Sequence, residues 1–95
     1  MKYVFSKPYA FEGKAFDDID LDLESLKGSD ISAVKKQFAA GGNFAVFPTV
    51  DTDYCILIAA RLAKQPIEFF LEMPAPDYCA IAQRVSHFLT RMGLE

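Results

Sequence analysis

Few residues in this 95-residue chain have side chains suited to chemistry. His87 is the one histidine, and it falls between Arg84 and Arg91 at helical spacing, with no acid placed to orient its ring. A catalytic centre needs a nucleophile, a base and a group that holds the base in place. Cys79 lies two helical turns before His87, too far along the helix for direct contact. The two cysteines, Cys55 and Cys79, form no C-x-x-C pair, and both sit among apolar neighbours. Each reads as a small buried thiol used for packing, not as half of a disulfide. Asp18-x-Asp20-x-Asp22 opens like a calcium loop, but Leu23 stands where the sharp glycine turn is needed and Ser29 where the bidentate glutamate is needed. The chain has no glycine-rich phosphate loop, no G-x-S-x-G elbow and no His/Cys spacing of a metal site. It reads as non-enzymatic, with no cofactor and no metal.

The elements that would carry these residues are easier to see. Tyr3 and Phe5 alternate with Lys2 and Val4 in a first strand that Pro8 ends, and Tyr9 to Lys14 leads into a hairpin turn at Glu12-Gly13. From Asp18 to Glu24 acids alternate strictly with Ile19, Leu21 and Leu23. That pattern predicts a second strand with its carboxylates in water, where they also discourage edge-to-edge aggregation. Ser29 or Asp30 is placed to cap a helix over Asp30 to Ala40, with Ile31, Val34 and Phe38 on its buried side and Gly41-Gly42 as its stop. Asp51 or Thr52 caps the next helix. Pro66 opens a short helical turn, Ile67 to Leu71, and a last helix begins near Pro76. In that last helix Tyr78, Ile81, Val85, Phe88, Leu89 and Met92 make one apolar stripe. The sequence thus predicts an α+β fold in a single domain, 1–95, with an N-terminal β-hairpin (1–26) followed by three to four helices (29–95).

The helix from Tyr54 to Ala63 differs from the others, because Arg61 is its only charge. Such a helix needs cover on more than one side, from its own chain, a second copy or a partner. The composition points the same way: 52% of residues are hydrophobic and nine are phenylalanine. A chain of this size buries only about two thirds of its unfolded surface, so association would add burial. The segment Asn43 to Val50 carries Phe44, Val46, Phe47 and Val50, which either tuck under the helices or meet a partner.

The formal net charge of −3 and the absence of a basic stripe argue against nucleic acid. The longest uncharged apolar run, Tyr54 to Ala60, falls far short of the roughly 20 residues that cross a bilayer. The N-terminus lacks an apolar run of signal-peptide length, so the expected location is the cytoplasm.

Several segments taken together resemble a known family. They are Phe11-Glu-Gly-Lys, Ile19-Asp-Leu-Asp-Leu-Glu-Ser-Leu-Lys-Gly-Ser-Asp-Ile, Asp53-Tyr with Ala59-Ala-Arg-Leu-Ala, Pro66-Ile-Glu-Phe-Phe, Asp77-Tyr and Val85-Ser-His-Phe-Leu. In this order and spacing the chain resembles the tail assembly chaperones of long-tailed bacteriophages, notably the short proteins of contractile-tailed phages and Mu-like prophages. The resemblance implies a non-enzymatic protein that binds the tape measure protein, helps bring tail tube protein to it, works in the host cytoplasm and is absent from the mature virion. The surplus of apolar residues makes a homo-oligomer the expected state. Phenylalanine is concentrated in two connectors, so Phe44, Phe47, Phe69, Phe70 and Leu71 are the expected protein-binding residues, exposed and in contact with the partner or a second subunit.

Overall fold

The computed structural model describes the backbone of residues 1–94 and the side chains of residues 1–91. It is an antiparallel hairpin, β1 (Lys2–Phe11) and β2 (Lys14–Asp20), followed by four helices. These are α1 (Gly28–Ala40), α2 (Thr52–Ala63), α3 (Ile67–Leu71) and α4 (Ala75–Leu94), with single 3-10 turns at Leu23–Ser25 and Pro48–Val50. The α+β architecture is the one expected. Glu12 and Gly13, with φ of 49° and 80°, form the two-residue turn, whose positive φ values match the twist of the flanking strands.

Three local details differ from expectation. Strand β1 runs on through Pro8, because the ladder is interrupted between Val4 and Tyr9 and proline's missing N–H is not needed there. Strand β2 stops at Asp20, although Leu21 and Leu23 are still buried: a 3-10 turn carries the chain from the sheet into α1 while keeping both leucines inside. Helix α1 begins two residues early, and Asp30 caps from within it by accepting the Lys27 backbone N–H at 3.0 Å. Asp51 caps α2 as expected, accepting the Tyr54 N–H at 3.0 Å.

Helix α2 is the centre of the molecule. Helices α1, α3 and α4 all pack on it. Tyr54, Cys55, Ile56, Ile58, Ala59 and Ala60 are buried, and Leu57, Leu62 and Ala63 partly so. The cover that this apolar cylinder needs is therefore supplied by its own chain, and no second copy is required to hide it. Arg61, its one charge, reaches across to α1 and pairs with Asp30 at 2.7 Å. That contact holds the Asp30 carboxyl below its usual range.

The hairpin lies on the helices through aromatic rings. Phe69 in α3 is wholly buried, and its ring meets those of Tyr9, Phe11, Phe16 and Phe70 at 5.1–5.2 Å and that of Phe5 at 6.4 Å. Most of these pairs are edge-to-face, the arrangement the ring quadrupole favours. Tyr9 Oη donates to the Phe69 carbonyl at 2.7 Å, so the short helix is tied as well as packed.

A second tie joins the two ends of the chain. Asp77, in the first turn of α4, is 1% exposed. Its carboxylate accepts from Tyr3 Oη at 2.6 Å and from the Ser6 backbone N–H and Oγ, both at 3.1 Å. A buried carboxylate is tolerated only when donors surround it, and here β1 supplies them, Tyr3 from its paired part and Ser6 from its interrupted part. Arg84, two turns further along α4, lies over the Tyr3 ring at 5.2 Å. Burial, with the Asp77 hydrogen bond next, pushes the Tyr3 phenol up to about 12.

Candidate protein-binding surface

The buried side of α4 carries Ile81, Val85 and Leu89, with Tyr78 and Phe88 half-buried, as its stripe predicts; the Met92 side chain lies outside the described residues. His87, Arg84 and Arg91 are on its exposed side. Among the described residues no group of three or more His, Cys, Asp or Glu could hold a metal ion, and no helix is long and apolar enough to cross a membrane.

The connector from Gly41 to Val50 contains no charged residue and is the most apolar exposed segment of the chain. Phe44 is 87% exposed, Val46 72%, Phe47 71% and Val50 61%. Only Ala45 and Pro48 are half-buried. Of the two placements open to this segment, the structure adopts the one with its large side chains in solvent.

The segment is nevertheless fixed at both ends. Gly42, at φ +80°, turns the chain away from α1, and the Asn43 backbone and side-chain N–H groups both donate to the Phe38 carbonyl at 3.3 Å. At the other end the Thr49 carbonyl accepts from Ser86 Oγ of α4 at 2.6 Å and from Cys55 Sγ of α2 at 3.5 Å. Phe47 and Pro48 carbonyls accept from Val50 and Asp51 to close the 3-10 turn. The apolar side chains thus stand out from a backbone that two helices hold.

Beside Val50 a surface hollow of about 250 Å³ opens between α2 and α4, lined by Val50, Thr52, Cys55, Cys79, Ala82, Gln83 and Ser86. Cys55 is fully buried at its base, and burial followed by the charge of Asp51 pushes its thiol up to about 11, so it stays protonated. Cys79 is exposed, which corrects the expectation that both thiols serve as packing. The reason is its position on α4: Cys79, Gln83 and Ser86 follow one another at four and three residues, a stripe that faces the hollow and not the core. Near this rim Tyr78 Oη donates to Asp53 Oδ1 at 2.8 Å, joining the first turns of α2 and α4. Burial and that bond raise the Tyr78 phenol.

The five expected contact residues do not form one surface. Phe44 and Phe47 are exposed together in the connector. Phe69 and Phe70 are wholly buried, contrary to the exposure expected of them, because α3 is the plug on which the hairpin packs. Leu71, at the end of α3, is 61% exposed and does not line the hollow beside Val50. Val46 and Val50 were legible as apolar, but the place of Val50 beside a hollow depends on the α2–α4 packing, whose one sequence trace is the Cys79, Gln83, Ser86 spacing.

Among curated proteins and among solved structures the chain has no significant match. A family model described as "Phage tail assembly chaperone proteins, E, or 41 or 14" matches residues 2–90, from the first strand to the last turns of α4. With nearly its whole length matched, the chain belongs to the phage tail assembly chaperone family.

Proposed function

We propose that this chain binds the tape measure protein and assists tail tube assembly, and that it does so through the exposed connector Gly41–Val50. One observation carries the reading: in a chain of the tail assembly chaperone family, four large apolar side chains stand in water on a backbone pinned by Ser86 and Cys55. Burying a phenylalanine side chain against a partner is worth about 1.5–3 kcal/mol, so Phe44 and Phe47 together could anchor a helix that offers an apolar stripe. The role is binding, not catalysis, and its place is the host cytoplasm, before the virion is complete. The hairpin 1–26 and the helical part 29–95 act as one domain, a reading supported by the single core cluster that joins them. The chain works as a homo-oligomer, a reading supported by apolar surface that one copy leaves wet.

The double variant Phe44→Ser/Phe47→Ser tests the surface. It is expected to keep the far-UV spectrum and the melting temperature of the parent, and to lose recovery of tape measure protein in the soluble fraction on co-expression. Undiminished recovery would overturn the assignment of this connector. Sedimentation equilibrium of the parent chain checks the oligomer.

A further inference from the structure

We propose that the outer edge of β2 is a second docking surface, which receives an extended segment rich in lysine or arginine from a tail protein by strand addition. The sheet has two strands only, so β2 has one edge paired with β1 and one edge without a strand. The helix whose backbone runs closest along the hairpin is α4, and it does so at β1. The two outer edges are unlike. On β1 the ladder is interrupted between Val4 and Tyr9, and Pro8 removes a donor, so that edge is blunted. On β2 no proline intervenes.

Hairpin geometry identifies one amide that faces outward. With a two-residue turn at Glu12-Gly13, Phe11 and Lys14 are the hydrogen-bonded pair that closes the hairpin. The next pair, Ala10 and Ala15, is then of the non-hydrogen-bonded kind, and the N–H and C=O of Ala15 point away from β1. The Ala15 side chain is exposed, so nothing large shields that edge.

Charge selects the occupant. From Ala15 to Leu26 the chain has five acids, Asp17, Asp18, Asp20, Asp22 and Glu24, and no lysine or arginine. The cations that answer them come from the β1 side: Lys2 Nζ lies 3.8 Å from Asp18, and the amino group of Met1 lies 3.5 Å from Asp20. Asp17, Asp22 and Glu24 are exposed and have no ion-pair partner among the described residues. A second copy of β2 would bring like charge against like, whereas a basic strand would gain backbone hydrogen bonds and charge complementarity together. That the strand comes from a tail protein rests on the family's role; the edge and its charge do not.

The test uses the full chain, isotope-labelled, and a seven-residue capped peptide alternating Lys and Val, the length of β2. Amide shifts from Ala15 to Asp20 should move on titration, the Ala15 amide should gain protection from exchange, and added salt should weaken binding. Ala15→Pro should lower affinity about tenfold or more while leaving the melting temperature near that of the parent. Asp17→Asn/Asp22→Asn, which leaves the backbone intact, should lower it with a shallower salt dependence. Equal binding of a Glu-Val peptide, shifts centred on Phe44 and Phe47, or β2 amides already protected in a self-paired dimer would each overturn the proposal. Phe44→Ser/Phe47→Ser should bind the Lys-Val peptide unchanged. Failure at the connector and failure at the edge are thereby told apart.

Discussion

Two phenylalanine-bearing connectors carry opposite fates in this small molecule. Phe69 and Phe70, between α2 and α4, are sealed at 0% exposure, while Phe44 and Phe47, between α1 and α2, stand at 87% and 71%. Both segments are short, rich in phenylalanine and contain proline. What separates them is the company within reach. Phe69 faces a hairpin whose inward positions include Phe5, Tyr9, Phe11 and Phe16, so four hairpin rings close on it, with its neighbour Phe70 as a fifth. Phe44 and Phe47 have no such platform, and the loop's polar anchors, Asn43 and Thr49, hold the backbone without covering the side chains. An apolar connector is therefore core where a sheet lies opposite it, and surface where helices hold only its backbone.

The comparison is broken most directly at Phe69. Phe69→Ala should cost about 3–5 kcal/mol, a large part of the 5–15 kcal/mol that holds a domain of this kind, and urea midpoints should fall accordingly. Alkali should attack other buried groups. The Tyr3 phenol is raised from 10.0 to about 12 and the Cys55 thiol from 9.0 to about 11. A raised folded value means the native state resists ionisation that the unfolded chain undergoes freely, so their contribution is whole below pH 9 and is lost as pH climbs from 9 towards 12. Urea midpoints measured across that range should decline, and Tyr3→Phe should flatten the upper part of the decline. At the small end, Phe44→Ser/Phe47→Ser should shift the midpoint by no more than about 0.5 kcal/mol, as expected of solvent-exposed positions. A loss comparable to that of Phe69→Ala would erase the distinction between the connectors.

Much of the fold was legible because local rules sufficed. Gly13 marked the hairpin turn, Asp51 the start of α2, and the three- and four-residue spacing of Ile81, Val85 and Leu89 the inner side of α4. The fate of the phenylalanines was not, since local sequence makes Phe47-Pro48 and Pro66 to Phe70 equally greasy and only tertiary packing tells them apart. The repeated Asp-Tyr-Cys of the two helices shows the same limit. Asp53 is exposed and accepts from Tyr78, whereas Asp77 is buried and accepts from Tyr3 and Ser6. Cys55 is inside and Cys79 outside. Identical triplets play different parts because α2 is enclosed on several sides and α4 on one.

The carboxylate of Asp77 joins positions 74 and 71 residues apart in the chain. During translation the hairpin leaves the ribosome before the acid that receives its Tyr3 and Ser6 donors. The Asp77 tie can form only when α4 has been made, so a nascent or truncated copy lacking that helix holds its hairpin through the Phe69 contacts without it. Completion of this tie is thus timed by the synthesis of α4.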